Sequence, residues 1–198
     1  MNSELINNVR TYCRSLIESS RCKSMPFHNW EHTQDVVLNS ELIAKHENLE
    51  SNTIEELIIA SYFHDIGHID NAHEHEELSC KYAQEFLKKE RYDGHRIMNV
   101  IESIRATKIN QSPKAISQKI ICDADLSHLG KENFKTKNSQ LRKEWEIYNG
   151  MEYSEEEWIE MNIVFMEKHL FYTTYAKENF SIQKLKNIGF FKNKSNKI

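Results

Sequence analysis

Apolar residues recur every three to four positions through most of the chain, the spacing of one face of an α-helix. In SELINNVRTYCRSLIES the stripe is Leu5, Ile6, Val9, Tyr12, Cys13, Leu16 and Ile17. A second helix is expected from about Trp30 to Lys45, burying Val36, Val37 and Ile43. A third opens at Thr53, with Glu56 completing a capping box, and carries Ile54, Leu57, Ile58 and Tyr62. The pattern resumes over Glu76 to Lys89, and again after Gly94 through Ile97, Val100, Ile101 and Ile104. Ser112 and Pro113 read as the cap and first turn of a sixth helix, which runs into IICDADLSHLG. A polar helix follows from about Glu132 to Tyr148 and ends at Gly150. Ser154 and Glu157 cap the next, which holds Trp158, Phe165 and His169. The closing segment FFKNKSNKI reads as a frayed, solvated end. With only 5 glycines and 2 prolines, the chain lacks the turns that an all-β fold needs. The expectation is all-α: residues 1–198 as a single domain, a helical bundle.

Composition narrows the function classes. The chain has 198 residues, 39% hydrophobic and 28% charged, as in ordinary globular proteins. A net charge of -4 and a pI near 6.2 give no basic excess for a nucleic-acid partner. No apolar run approaches the roughly 20 residues that span a bilayer, and the N-terminal stretch lacks the pattern of a signal peptide. Cys13, Cys22, Cys80 and Cys122 form no CxxC pair, and buried free thiols in a reduced cytoplasm are expected. Nothing indicates an oligomeric state.

The histidines are where chemistry enters. Six of the 10 fall within residues 28–32 and 64–75, where an even spread would place about one. His28 and His32 are four apart and share a helix face if that helix starts near Pro26. His64 and Asp65 follow an apolar helix whose C-terminal end favours a cation. Asp123 and Asp125 follow the apolar run Ile120, Ile121, Cys122, an unusual place for two carboxylates unless they are paired or ligating. Nitrogen and carboxylate donors without thiolate suit a catalytic divalent ion.

The ordered set His32, His64-Asp65, Asp125 resembles the H…HD…D signature of the HD superfamily of metal-dependent phosphohydrolases. Local islands are also similar to class I cyclic-nucleotide phosphodiesterases: HNWEH, HDIGH, IRATK and DADLS, in that order. The resemblance implies His32, His64, Asp65 and Asp125 as ligands of one or two divalent ions (manganese, iron, magnesium or zinc), with Asp65 bridging to a second. It implies His28 as the acid that protonates the leaving oxygen, and His68 as the group that orients the attacking water. In MNIVFMEKHL, Asn162 stands where those enzymes place a glutamine three residues before a phenylalanine, here Phe165. The shorter amide implies altered or absent base recognition. His75 to Ser79 is similar to an HE-x-x-S stretch of related HD proteins, and Arg105, Lys108 and Arg142 are candidate phosphate partners.

The function this implies is hydrolysis of a nucleotide phosphoester, with a 3′,5′-cyclic nucleotide first and a nucleoside mono- or triphosphate as the alternative. Two other classes remain. HNWEH also fits the H-x-x-E-H pattern of a zinc peptidase, with Glu31 as base. A non-catalytic module that binds a nucleotide is the third reading.

Overall fold

The computed structural model describes residues 1–70, 73–109, 112–148 and 150–195. Its described residues contain helices and no strand, so the fold is all-α. The chain divides into two compact units, Met1–Asp125 and Leu126–Ile198.

The first unit contains α1 (Ser3–Glu18), α2 (Trp30–His46), α3 (Ser51–Phe63), α4 (His75–Lys89), α5 (Gly94–Arg105) and α6 (Ile116–Asp125). Single 3-10 turns occupy Arg21–Ser24 and Ile66–Ile69. Everything is arranged around α3, which packs on α1, α2, α4, α5 and α6. From Ile54 to Phe63 every residue of α3 is buried. Its apolar residues lie all round the helix rather than on one stripe, the pattern of a helix with no solvent face. Glu55 and Glu56 are the costly exceptions. Arg96 on α5 pairs with both, at 3.1 and 2.6 Å, and Tyr92 Oη donates to Glu55. Removing water from two carboxylates is tolerable only with such partners.

Several helix boundaries differ from expectation. α3 starts at Ser51 with no side-chain cap, because Glu56 is turned to Arg96 and Asn99 instead of closing a capping box. α6 starts at Ile116 rather than Ser112, since the Gln118 side chain accepts from the backbone N–H groups of Lys114 and Ala115. The capping box at Ser154 and Glu157 is present in full. Cys13, Cys22 and Cys80 are buried free thiols, and Cys122 is partly buried.

The second unit has a 3-10 turn at Leu126–Gly130, then α7 (Phe134–Tyr148), α8 (Glu155–Lys168) and α9 (Thr174–Ser195). Its core is Leu129, Phe134, Ile159, Met166, Ile188 and Phe191. Two of these are on α9, so the C-terminal segment is not a frayed end as far as Ser195. Asn187 on α9 donates to the Leu129 and Lys131 carbonyls, which fixes the helix against the turn. Gly130 permits the approach, because a Cβ there would come 2.4 Å from the Phe180 carbonyl oxygen. Near this core the Lys184 ammonium donates to the His169 carbonyl. Burial, with the charge of Lys184 and the neighbouring His128, pushes the His169 imidazole down to about 4.

That depression has a defined sign. Between pH 6.5 and about 4 the unfolded chain holds a proton on His169 that the folded chain refuses, so stability falls as pH drops through this window. His169→Gln should remove that loss, which is on the order of 3 kcal/mol at most. Urea unfolding of both chains at pH 7 and pH 4.5 measures the difference, and equal falls in the two would assign the acid sensitivity elsewhere.

Candidate metal centre

Three chain segments far apart in sequence bring donors to one point. α3 ends at Phe63, which places His64 at its C-cap and Asp65 just beyond. α6 ends at Asp125. Both helix ends point partial negative charge at the site, an arrangement that favours a cation. His32 comes from the first turn of α2, whose cap is Asn29: its Oδ1 accepts from the N–H groups of Glu31 and His32.

The donor atoms are close together. His32 Nε2 lies 3.3 Å from Asp65 Oδ2, 3.1 Å from Asp125 Oδ1 and 3.4 Å from His64 Nε2. His64 Nε2 lies 3.1 Å from Asp65 Oδ2 and 3.7 Å from Asp125 Oδ1. Donors about 2.1 Å from a common ion stand about 3.0 Å apart at right angles and about 3.4 Å apart at tetrahedral angles. The observed separations match the edges of such a polyhedron. The buried Asp65 Oδ2 accepts no well-formed hydrogen bond, as expected of an oxygen meant for an ion. The His64 Nδ1 proton goes to the Ser61 carbonyl at 2.8 Å, which leaves Nε2 as the lone-pair donor. The donor set therefore fits a divalent ion. Side-chain exposure rises across it, from 0% at His64 and 5% at His32 to 11% at Asp65 and 21% at Asp125.

Electrostatics agree. Burial opposes charge on His32, but the carboxylates of Asp125 and Asp65 outweigh it and push the imidazole up to about 10. His64 is raised too, against burial, by Asp65 first. Burial alone would raise Asp65 and Asp125, yet the imidazoles of His64 and His32 hold both below the usual carboxylate range. Without an ion the site holds protons instead, and the two compete for the same lone pairs.

A second group adjoins the first. Donor atoms of His28, Asp65 and His68 lie within 4.8 Å of one another. His28 is not on α2, which begins two residues later, so a shared helix face does not explain its approach to His32. The short run before the Asn29 cap brings the rings to 5.8 Å instead, with Phe27 packed 4.9 and 4.8 Å from His28 and His32. His75, at the start of α4, stacks on His68 and places Nε2 3.6 Å from Asp65 Oδ1. Burial, with His28 beside it, pushes His68 well below the usual imidazole range.

Other candidates lie elsewhere. Asp123 is fully buried and, among the described residues, joins neither group. Glu31 is exposed and, among the described residues, also joins neither group. Arg105 and Lys108 both pair with Glu77, and Arg142 with Glu146 and Glu155. Asn162 and Phe165 belong to the second unit. There the Asn162 amide accepts from Asn138 at 2.5 Å and donates to the Trp158 carbonyl at 2.7 Å, while Phe165 packs against the core.

Sequence reasoning did not find what holds the HDIGH turn in place. Gly67 N–H donates to Ser79 Oγ at 2.8 Å, and a Cβ on Gly67 would come 2.0 Å from the His75 carbonyl oxygen. Only glycine lets the turn lie flat on the start of α4. Arg21 Nε donates to the His68 carbonyl at 2.9 Å from the other side. The HE-x-x-S stretch carries the sole hint of this, through Ser79.

Residues 29–130, just over half of the chain, match the family model described as HD domain. The chain belongs to the HD-domain family. His32, His64, Asp65 and Asp125 all fall inside this HD domain. Two solved structures are similar in fold. A predicted HD superfamily hydrolase from an uncultured Thermotogales bacterium is 20% identical, with a TM-score of 0.59, over 96% of this chain and 90% of that one. The Lin1889 protein of Listeria innocua is 16% identical, with a TM-score of 0.66, over 98% and 95%. At such identities the likeness carries the fold alone. No curated protein matches the chain. Among the described residues, no helix of this HD-domain protein is long and apolar enough to cross a membrane.

Two outcomes are expected. Asp125→Ala should lower metal affinity by more than the 10–100-fold that loss of an outer partner typically costs, while Asp123→Ala should keep its metal. Elemental analysis of the purified variants checks the order. Gly67→Ala should cost about 1–3 kcal/mol, because backbone must move to admit the methyl. Denaturant unfolding reads this directly, and an unchanged midpoint would show that the turn is not held against α4.

Proposed function

We propose that the protein is a metal-dependent phosphohydrolase acting on a nucleotide phosphoester, with 3′,5′-cyclic nucleotides as its first substrate class. The observation that carries the reading is the His32, His64, Asp65, Asp125 set, buried at its imidazoles and partly buried at its carboxylates, beside a row of further imidazoles. A divalent ion held there supplies Lewis-acid charge for phosphoryl oxygens and a nucleophile at neutral pH. The chain's own residues do the rest. The carboxylates and Nε2 atoms hold the ion, and the Ser61 carbonyl keeps His64 in the ligating tautomer. Phe27 walls one side of the imidazoles with an apolar ring and limits water there.

In this setting the resemblance implies a role for each neighbouring histidine: His28 as proton donor to the leaving oxygen, and His68 as orienter of water. Base selection is expected to be weak, because the Asn162 amide is already spent on Asn138 and Trp158.

The reading is tested by assaying purified protein with manganese against cyclic nucleotides and nucleoside mono- and triphosphates. Cyclic nucleotides should be hydrolysed with less than about tenfold difference between bases, a gap of about 1.4 kcal/mol. Turnover should vanish in Asp65→Asn. Triphosphate hydrolysis with no cyclic activity would move the substrate class to the alternative.

A further inference from the structure

We propose that the exposed face of α9 docks a second copy of this chain, the two α9 helices packing antiparallel about a two-fold axis. The surface belongs to the second unit alone and depends neither on the metal centre nor on any choice of substrate.

α9 is 22 residues long, which is about 33 Å of helix. One side of it is spent on the core, where Ala176, Phe180, Lys184, Asn187, Ile188 and Phe191 are buried. On the other side Tyr175, Glu178, Ile182, Leu185, Gly189 and Lys192 follow one another at alternating steps of three and four. That is the a and d spacing of a helix seam that meets another helix. At its centre Ile182 is 67% exposed and Leu185 65%. Scattered exposed apolar residues are ordinary, but these two are neighbours on the helix surface and form a patch.

The charges along the seam say what covers it. Glu178 lies one turn before Ile182, and Lys186 one turn after it. Both are exposed, and among the described residues neither has an ionic partner. Lys192, a further turn and a half on, is paired with Glu167 of α8 at 2.6 Å and stays half exposed. Negative charge thus sits towards the start of the seam and positive charge towards its end. Two copies run parallel would set glutamate against glutamate and lysine against lysine. Run antiparallel, with the axis between Ile182 and Leu185, each Ile182 meets the partner's Leu185. Glu178 then lies over the partner's Gly189, between the partner's Lys186 and the partner's Lys192. Gly189 leaves room for it, since a Cβ there would meet no atom within 4 Å. The face is complementary to itself in one orientation, which is the condition for a closed two-fold dimer. An anionic membrane would instead hold Glu178 against like charge.

Magnitudes set the strength expected. Exposed ion pairs contribute little, so the apolar pairs carry the affinity and the charges choose the orientation. One seam of this length buries less than the roughly 1,200 Å² of a stable interface. The dimer is therefore weak and reversible, with a Kd on the order of 10 µM.

Sedimentation velocity on the full chain, from about 1 to 200 µM, reads the association directly. Wild type should pass from monomer to dimer over this range. The double variant Ile182→Glu, Leu185→Glu should stay monomeric throughout, with the wild-type fold by circular dichroism, because both side chains face solvent in the single chain. Glu178→Lys should weaken the dimer by at least about tenfold. Adding Lys186→Glu should restore it, because the two charges are then exchanged together. This charge pair decides the matter if the double glutamate variant does not fold. A wild type that remains monomeric overturns the proposal, and its flotation with phosphatidylglycerol vesicles would then assign the face to a lipid surface. A dimer that survives in the double glutamate variant places the contact elsewhere and overturns it as well. Undiminished affinity in Glu178→Lys, or no recovery with Lys186→Glu, overturns the antiparallel pairing.

Discussion

Asp65 and Asp125 bring two carboxylates to nitrogen atoms that are almost wholly out of water. Such a group has to contain positive charge, because two partly buried anions side by side would repel each other with less screening than in water. Either protons on His32 and His64 supply it or a divalent ion does. The rest of the first unit can be understood as the means of holding this pairing together. α3, buried on every side, gives His64 and Asp65 a rigid end. The Asn29 cap fixes where α2 begins and hence where His32 points.

The donor segments are remote in sequence, with His32 on α2, the His64-Asp65 pair just past the end of α3 and Asp125 at the end of α6. An ion that joins them closes two long loops, and the entropy of loop closure is supplied by folding rather than by binding. Metal affinity and fold stability are therefore linked quantities in this protein. The buried pair of glutamates on α3 plays a comparable part at the other end of that helix, with Arg96 as the cation.

Much of this was legible in the sequence, for physical reasons. The helical period made the fold class readable, and the density of histidine around HNWEH and HDIGH marked the centre. Asp125 could be chosen over Asp123 only through the likeness of DADLS to related sequences. In the structure Asp125 stands with His32 and His64, while Asp123 is buried and joins neither donor group among the described residues. What was not legible depends on contacts between segments. Glu56 looks like a capping residue until Arg96 is seen beside it. α9 carries its apolar residues too unevenly to give a clear stripe, and Lys and Asn occupy buried positions on it at Lys184 and Asn187. Gly67 looks like an ordinary turn glycine, because the carbonyl it must avoid belongs to His75, across a turn. The reach of His28 towards His32 was anticipated, but by the wrong means: a capped entry to the helix, not the helix itself.

The graded exposure of the first donor set gives it a direction. The imidazoles are innermost and the carboxylates outermost, with Asp125 the most open. An arriving cation meets negative charge first and nitrogen last. Capture is then a long-range process that salt slows, whereas release waits on breaking the inner nitrogen bonds, which salt barely touches. Entry and exit are governed by different halves of one site, so ionic strength tunes how fast the centre fills far more than how long it stays filled.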